Sequence, residues 1–571
     1  MHAPCADTRP TTPNPASLSH EFFPIVTPLI ADAWEDALRQ ANCLHTYIDV
    51  PYGLRFGFDM GIHTLPSSTY IPPNHSSAIN HPHAVMSNIQ TELAHRRYSG
   101  PFAPDRLELL IGPFRSSPLG VIPKTGTNEF RLIQDFSYPR NDPSLTSVNA
   151  EIDLENLHCD WGTFQEAVAI ILDAPPLALA ATLDVDSAFR RCPIQPSQRP
   201  NFVIYWQGHC YIDHNAPFGA ASSGFIFGRI ADALTAILRS RGIGPVINWV
   251  DDFLFFLFPT NPKRNDSDEP FYTPLYPYSL DTIHALATFL GLPWKHSKTR
   301  PFASTFKYLG FLWDLTDKTV QIPDEKKRRY LEKLAPWIKG AKFTKRDTES
   351  LLGTLVHCAL AIPNARSRLP SLSRFASSFQ NTQSPFIRKS PSPAVLSDID
   401  WWRNQLSAPF CGSTLVRPPP PSPIEFWVDA STTWGVGVVF DNAWDAWELQ
   451  EGWKGNGRTI GWAEFIAIEL GLLLAISQGH SNTHFLIRSD NQGVIFAIKG
   501  GKSRSPEQNA VLQRITQLLS THSLWISSLY VRSADNIADG PSRGHPPSNL
   551  PRSRTRLTIP SSLTPFLITN T

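Results

Sequence analysis

The sequence predicts an α+β multidomain protein. Three observations carry that expectation. The chain has 571 residues, too many for one core, and 42% of them are apolar. Short β-branched and aromatic runs bounded by turn residues alternate with stretches of helical apolar spacing. The segment Arg417-Pro418-Pro419-Pro420-Pro421-Ser422-Pro423 reads as a linker, and the strand and helix pattern restarts after it.

Composition narrows the class. The 52 prolines argue for long irregular connections and against coiled coil or helical repeat. Charged residues are only 18% and the formal charge is +1, so any nucleic-acid surface must be local. The seven cysteines are scattered and form no Cys-x-x-Cys pair, which gives no support to zinc or disulfide frameworks. Met1 to Cys5 lacks a signal-peptide pattern, and no run of 18 apolar residues predicts a membrane span.

In chain order, residues 1 to 20 read as disordered, and Leu29 to Leu44 and residues 84 to 98 read as helices. His75, His81 and His83 read as exposed loop histidines. Pro118 to Lys124 and Glu129 to Asp135 flank Thr125-Gly126-Thr127-Asn128, a hairpin signal. Leu179 to Phe189 begins as a strand carrying Asp184 and Asp186. Asn201 to Trp206 and His209 to Ile212 form a strand pair. A turn, Ala216-Pro217-Phe218-Gly219, precedes a helix from Phe225 to Leu238.

The chemistry centres on Asn248-Trp249-Val250-Asp251-Asp252-Phe253-Leu254-Phe255-Phe256, an acidic pair between apolar runs. This predicts a buried hairpin with carboxylates at its turn. Two adjacent carboxylates repel unless a cation sits on them. Together with Asp184 they would make a two-metal phosphoryl-transfer site. Residues 262 to 277 read as an exposed insertion. Residues 324 to 346 hold nine Lys/Arg against three Asp/Glu, a local basic patch.

These segments, over about residues 100 to 545, resemble in order the motifs of retroelement reverse transcriptases followed by a ribonuclease H domain, most like DIRS-type retrotransposon polymerases. The resemblance implies a right-hand polymerase of fingers, palm and thumb, then an α/β ribonuclease H-like domain. Lys124 and Arg131 match the fingers residues that hold the incoming deoxynucleoside triphosphate. Asp184, Asp251 and Asp252 match the catalytic acids, and Val185 the backbone oxygen on the metal. Phe189 matches the ring that excludes a 2′-hydroxyl. Pro217, Phe218 and Gly219 match the nucleotide-pocket turn. Lys298, with Lys295 as the alternative, matches the lysine on the leaving pyrophosphate. Asp135 reads as structural. After the linker, Asp429, Glu464, Asp490 and Asp539 match the four ribonuclease H acids. Glu469 should point elsewhere, and Asn536 anchors the last acid's loop. The stretch Tyr530 to Asp535 departs from many family members in lacking a histidine.

The implied boundaries are 1–99 for a partly disordered extension, 100–320 for fingers and palm, and 321–410 for thumb and connection. They continue with 411–423 for the linker, 424–545 for the ribonuclease H-like domain and 546–571 for a disordered tail. The implied activity is RNA-directed DNA synthesis with cleavage of the RNA strand in hybrids. It needs Mg²⁺, with Mn²⁺ as the alternative ion, and its partners are an RNA template, a DNA primer, the RNA/DNA hybrid and other proteins of the same element. No membrane partner is expected. An intracellular, nuclear site of action would suit a mobile element. The competing reading is a catalytically decayed nucleic-acid-binding scaffold.

Overall fold

The computed structural model describes residues 23–123, 129–140, 142, 145–155, 157–261, 274–380, 384 and 386–568. The amino-terminal stretch, most of the 262–277 insertion and the turn carrying Lys124 lie outside the described residues. Mixed α and β elements divide into two compact units, Met1–Leu309 and Gly310–Thr571.

Among the described residues of the first unit the strands are β1 (Tyr98–Phe102), β2 (Leu119–Pro123), β3 (Phe130–Gln134), β4 (Leu179–Asp184), β5 (Val203–Trp206), β6 (His209–Asp213), β7 (Val246–Trp249), β8 (Asp252–Leu257), β9 (Arg300–Ala303) and β10 (Thr305–Tyr308). A four-stranded sheet runs β7-β8-β4-β9, and β1-β6-β5 form a second sheet. The expected hairpin is β2 against β3, with Gly120 opposite Ile133. In β8 the residues Phe253 to Leu257 are buried on both faces. Phe253 and Phe255 join Leu183, Ile230, Leu234 and Leu238 in the core, so the Ser223–Ser240 helix covers one face of the sheet.

The stretch expected to be disordered, residues 1 to 20, lies outside the described residues, and the helix expected over Leu29 to Leu44 is present as Ala31–Gln40 and joins this core. Ala33, Trp34, Ala37 and Leu38 make an apolar stripe on the Ala31–Gln40 helix. Trp34 is fully buried and its indole N–H donates to the Leu290 carbonyl at 3.0 Å.

A buried ion network lies between β6 and the Pro82–Ala94 helix. Arg190 donates to both Asp213 oxygens at 2.8 and 2.9 Å and to Glu92 at 2.7 Å, and Arg97 grips Glu92 at 2.7 and 2.8 Å. Burial pushes the Glu92 carboxyl up, but Arg190 and Arg97 more than reverse this and hold it at about 2.

The second unit begins with β11 (Phe311–Asp314), β12 (Thr319–Gln321) and β13 (Gly412–Thr414), with helices Asp324–Leu334, Lys345–Cys358, Pro370–Ser377 and Pro393–Ser407 between β12 and β13. A five-stranded mixed sheet follows: β14 (Phe426–Ala430), β15 (Gly435–Phe440), β16 (Ala443–Glu448), β17 (His484–Ser489) and β18 (Trp525–Tyr530), in the order β16-β15-β14-β17-β18. The Ile460–Ser477 helix is apolar and long enough to cross a membrane, but most of it is buried against this sheet.

Three expectations change in this unit. Residues 411–423 are not a free linker: β13 pairs with β12, and the Ser422 N–H donates to the His484 carbonyl at 2.7 Å. The basic patch is smaller than its sequence. Lys327 is buried and donates to the Ala408 and Pro409 carbonyls, and Lys333 donates to the Ser350 carbonyl and Thr354. Arg328, Arg329, Lys339, Lys342, Lys345 and Arg346 remain exposed.

The tail expected to be disordered docks on β16, an edge strand whose unpaired backbone groups it satisfies. The Trp444 N–H donates to the Pro551 carbonyl at 3.0 Å, and the Ile568 N–H to the Glu448 carbonyl at 2.9 Å. Leu563 and Leu567 are 1% exposed. Their spacing of four puts two apolar anchors into a Pro/Ser/Thr-rich segment that otherwise reads as unstructured.

Two outcomes follow for the full chain. Leu563→Ala and Leu567→Ala should each destabilise the second unit by about 2–4 kcal/mol, read as a lower midpoint in thermal denaturation. Glu92 is held below its ordinary 4.5, so its contribution is full above that pH and is lost as pH falls toward 2. It amounts to roughly 3 kcal/mol. Urea melts should therefore show the parent losing stability over that window, with a smaller pH dependence and a lower neutral-pH stability in Glu92→Gln.

Candidate active sites

The first acid site is built by strand register. Asp184 ends β4 directly opposite Asp252, the first residue of β8. Trp249 pairs with Asp252, so β7 and β8 are joined by the two-residue loop Val250-Asp251. The Val185 N–H donates to the Asp251 carbonyl at 3.0 Å, tying that loop to the end of β4. The three predicted acids are thus brought together. Val250 sits at φ 55°, a left-handed conformation that costs a β-branched residue.

The electrostatics follow from this crowding. Burial and then Asp184 push the Asp251 carboxyl up. Burial, then Asp251, then Asp184 push Asp252 up to about 7. Lys298 donates from Nζ to Asp184 Oδ2 at 2.6 Å, and the Lys295 N–H donates to the Asp184 carbonyl at 2.8 Å. Burial lowers the Lys298 ammonium, but Asp184, Asp252 and Asp251 more than offset it and raise it. Lys298 therefore stands on a carboxylate here. Asp186 does not join the cluster: Arg191 Nη2 donates to its Oδ2 at 2.5 Å.

Phe189 follows in a short turn, Ala188–Arg191, and its ring lies 5.1 Å from that of Phe218. The Pro217 carbonyl accepts from Ser223 Oγ at 2.7 Å. Gly219 is at φ +104°, and a Cβ there would stand 2.8 Å from the Gln134 carbonyl oxygen, so only glycine lets this turn meet β3. Asn149 clamps it, donating to the Gly219 carbonyl at 3.0 Å and accepting from the Ala221 N–H at 2.9 Å. Arg131 is exposed on β3, in register with Ile122. Asp135 is structural, gripped by Arg140 and His75.

The second acid site converges from three elements. Asp429 lies on β14, Glu464 near the start of the Ile460–Ser477 helix, and Asp490 just past β17. Ligand atoms of these three lie within 4.8 Å of one another, the one such group among the described residues. Asp429 pairs with Gly437 of β15, where a Cβ would meet the Ser542 nitrogen at 2.4 Å and the Ala538 oxygen at 2.7 Å. Glycine there admits the 538–542 segment to the acid.

That segment orients Asp429. Ser542 Oγ donates to its Oδ2, and Asn536 Nδ2 donates to its Oδ1 at 3.2 Å. Ser533 Oγ donates to Asp490 Oδ2, in the stretch where a histidine was missed. Burial, with Asp490 and Asp539 adding to it, pushes Asp429 up to about 7. Burial, then Asp429 and Asp490, push Glu464 well above its ordinary value. Asp539 stands apart from the three, held by Arg543 Nε at 2.9 and 3.0 Å. Glu469 turns away to Arg514, at 2.6 Å to each oxygen.

Both sites suit a hard divalent cation. Their donors are all carboxylate oxygens, the set preferred by Mg²⁺ or Mn²⁺ over softer metals. Glu464 Oε2 is buried without a hydrogen-bond partner, the kind of orphaned oxygen an ion satisfies.

Ser533, Ser542 and Arg543 were absent from the sequence reading. Ser542 and Arg543 stand three and four residues after Asp539, spacing that can place them near it on a helical turn. Ser533 carried no comparable signal.

No family model matches the chain, and no curated protein does. Solved structures of foamy viral protease-reverse transcriptase are similar to it. One, in complex with an RNA/DNA hybrid, has 13% identity and a TM-score of 0.47 over 95% of this chain and 66% of that one. Another, in complex with double-stranded DNA, has 14% identity and a TM-score of 0.43 over 91% of this chain and 97% of that one. The chain thus spans just under two thirds of the first.

The strain at Val250 has a measurable consequence. Replacing a left-handed β-branched residue relieves about 1–3 kcal/mol, offset by roughly 0.4–1 kcal/mol of added unfolded-state entropy for glycine. Val250 also packs against the core, and losing that contact costs about 1 kcal/mol or more, so Val250→Gly should be close to neutral in metal-free urea melts while Val250→Ala, which keeps the strain and loses the contact, should destabilise.

Proposed function

We propose that the chain is a reverse transcriptase with ribonuclease H activity. In this reading the first unit extends a DNA primer on an RNA template, and the second cleaves the RNA strand of the hybrid. The observation that carries it is two separate carboxylate sets on one chain, the first at strand ends and the second at strand ends and a helix start, each under-neutralised by the protein around it. Bound divalent ions would activate the attacking hydroxyl or water and neutralise charge on the phosphate.

The residues divide the work. Asp184 and Asp251, supported by Asp252 and the Val185 backbone oxygen, hold the ions of the polymerase. The Phe189 ring, tilted against that of Phe218, excludes a 2′-hydroxyl by bulk and selects deoxynucleoside triphosphates. Pro217 and Gly219 shape the turn beneath the nucleotide. Lys124 and Arg131 hold the triphosphate; a guanidinium suits it through its planar fork. Lys298 moves from Asp184 to the leaving pyrophosphate. Asp429, Glu464, Asp490 and Asp539 hold the ions of the nuclease, and Ser542 and Asn536 fix the orientation of Asp429. The exposed bases between Arg328 and Arg346 contact the duplex backbone without reading sequence. The chain is of DIRS-retrotransposon type and works beside other proteins of the same element.

The test separates the two activities on the full chain. With Mg²⁺ or Mn²⁺, the parent should extend a DNA primer on RNA and cleave a labelled hybrid. Asp251→Asn should lose extension by roughly a hundredfold or more while keeping cleavage. Glu464→Gln should do the reverse. Hybrid binding with neither activity across metal and salt conditions would favour the scaffold reading.

A further inference from the structure

We propose that Arg543 is a positioning residue that holds Asp539 away from the Asp429, Glu464 and Asp490 cluster, and so sets how tightly the second acid site takes its second divalent ion. The inference rests on the nuclease reading above.

Three of the four acids already form a cage. Their ligand atoms lie within 4.8 Å of one another, and Asp539 is outside that group. Both Asp539 oxygens are instead engaged by one guanidinium. Arg543 Nε stands 2.9 Å from Oδ1 and 3.0 Å from Oδ2, and Nη2 stands 2.8 Å from Oδ1. The two residues are four apart on one turn, so the pairing needs no distant element. The fork geometry suits a carboxylate far better than a point charge would.

The turn also places the pair at the edge of the cage. Ser542, next to Arg543, donates to Asp429 Oδ2, and Asp539 is close enough to bear on the charge of Asp429. Arg543 in turn feels Asp429 and Asp490. A cation taken by the three clustered acids leaves this pairing intact. A second cation that draws on Asp539 must displace the guanidinium from it. The Arg543 and Asp539 side chains are 52% and 33% exposed, so the pair opens at modest cost. Arg543 thus tunes the second ion and does not block it.

Mn²⁺ binding followed by electron paramagnetic resonance tests this on the full chain. The background carries Asp251→Asn and Asp252→Asn, so that the count reports on the second site. The parent background should bind one ion tightly and a second weakly. Arg543→Gln should tighten the second ion about fivefold and leave the first unchanged. Arg543→Lys, which keeps the charge without the fork, should fall between them. Adding Asp539→Asn to Arg543→Gln should abolish the gain. An unchanged or weaker second ion in Arg543→Gln overturns the proposal, as does an equal gain without Asp539. Absence of the first, tight ion would instead refute the nuclease reading itself, and this inference with it. Circular dichroism melts matching the parent exclude misfolding as the cause of any change.

Discussion

The structure depends on holding like-charged carboxylates close together, with Asp184, Asp429 and Glu464 buried and their partners half-buried or exposed. Each set is expensive without a cation, because desolvation and mutual repulsion act in the same direction. The fold bears that cost by fixing where the backbones run. In the first unit, the β4 and β8 register puts Asp184 opposite Asp252, and Leu183 and Phe253 are paired beside them in the core. A one-residue slip would carry Phe253 to the opposite face of β8 and break the pairing of Asp184 with Asp252. The apolar residues of β8 therefore specify the site as much as its acids do.

The two units meet the same requirement by different local devices. The first uses a two-residue loop with Val250 in a left-handed conformation, pinned by the Val185 to Asp251 bond. The second uses an absent side chain: Gly437 lets the segment carrying Ser542 reach Asp429. Each site also pairs one acid with a cation of the chain's own, Lys298 on Asp184 and Arg543 on Asp539. The lysine is a mobile point charge on a flexible stem, suited to transfer. The arginine is a fixed fork, suited to holding.

Legibility in the sequence followed the range of the interaction. The acidic hairpin was readable because its apolar flanks and acidic turn lie within nine adjacent residues. The convergence of Asp429, Glu464 and Asp490 was readable only through motif order, since no local pattern specifies that three distant acids meet. The network of Glu92, Arg97, Arg190 and Asp213 was not readable at all. Its partners are separated by up to 98 positions, and each alone looks like an ordinary charged residue. The docked tail was missed for a related reason. Two leucines among prolines and serines make a weak pattern until the β16 edge they cover is known.

In the proposed reading, that hidden network would bear on how the first site selects its substrate. Phe189 is held in a short turn whose next residue is Arg190. Arg190 is anchored by Asp213 on β6 and by Glu92 on a helix, and it also donates to the Asn215 carbonyl just before the Pro217 turn. The buried Arg190 guanidinium thus ties the Phe189 turn to the chain just before Phe218. A steric filter works only if its wall does not yield, because a shift of an ångström admits the excluded group. Apolar packing alone tolerates repacking. A buried ion network with several directed bonds does not rearrange without exposing an unpaired charge, so in the proposed reading it would hold the Phe189 turn in place.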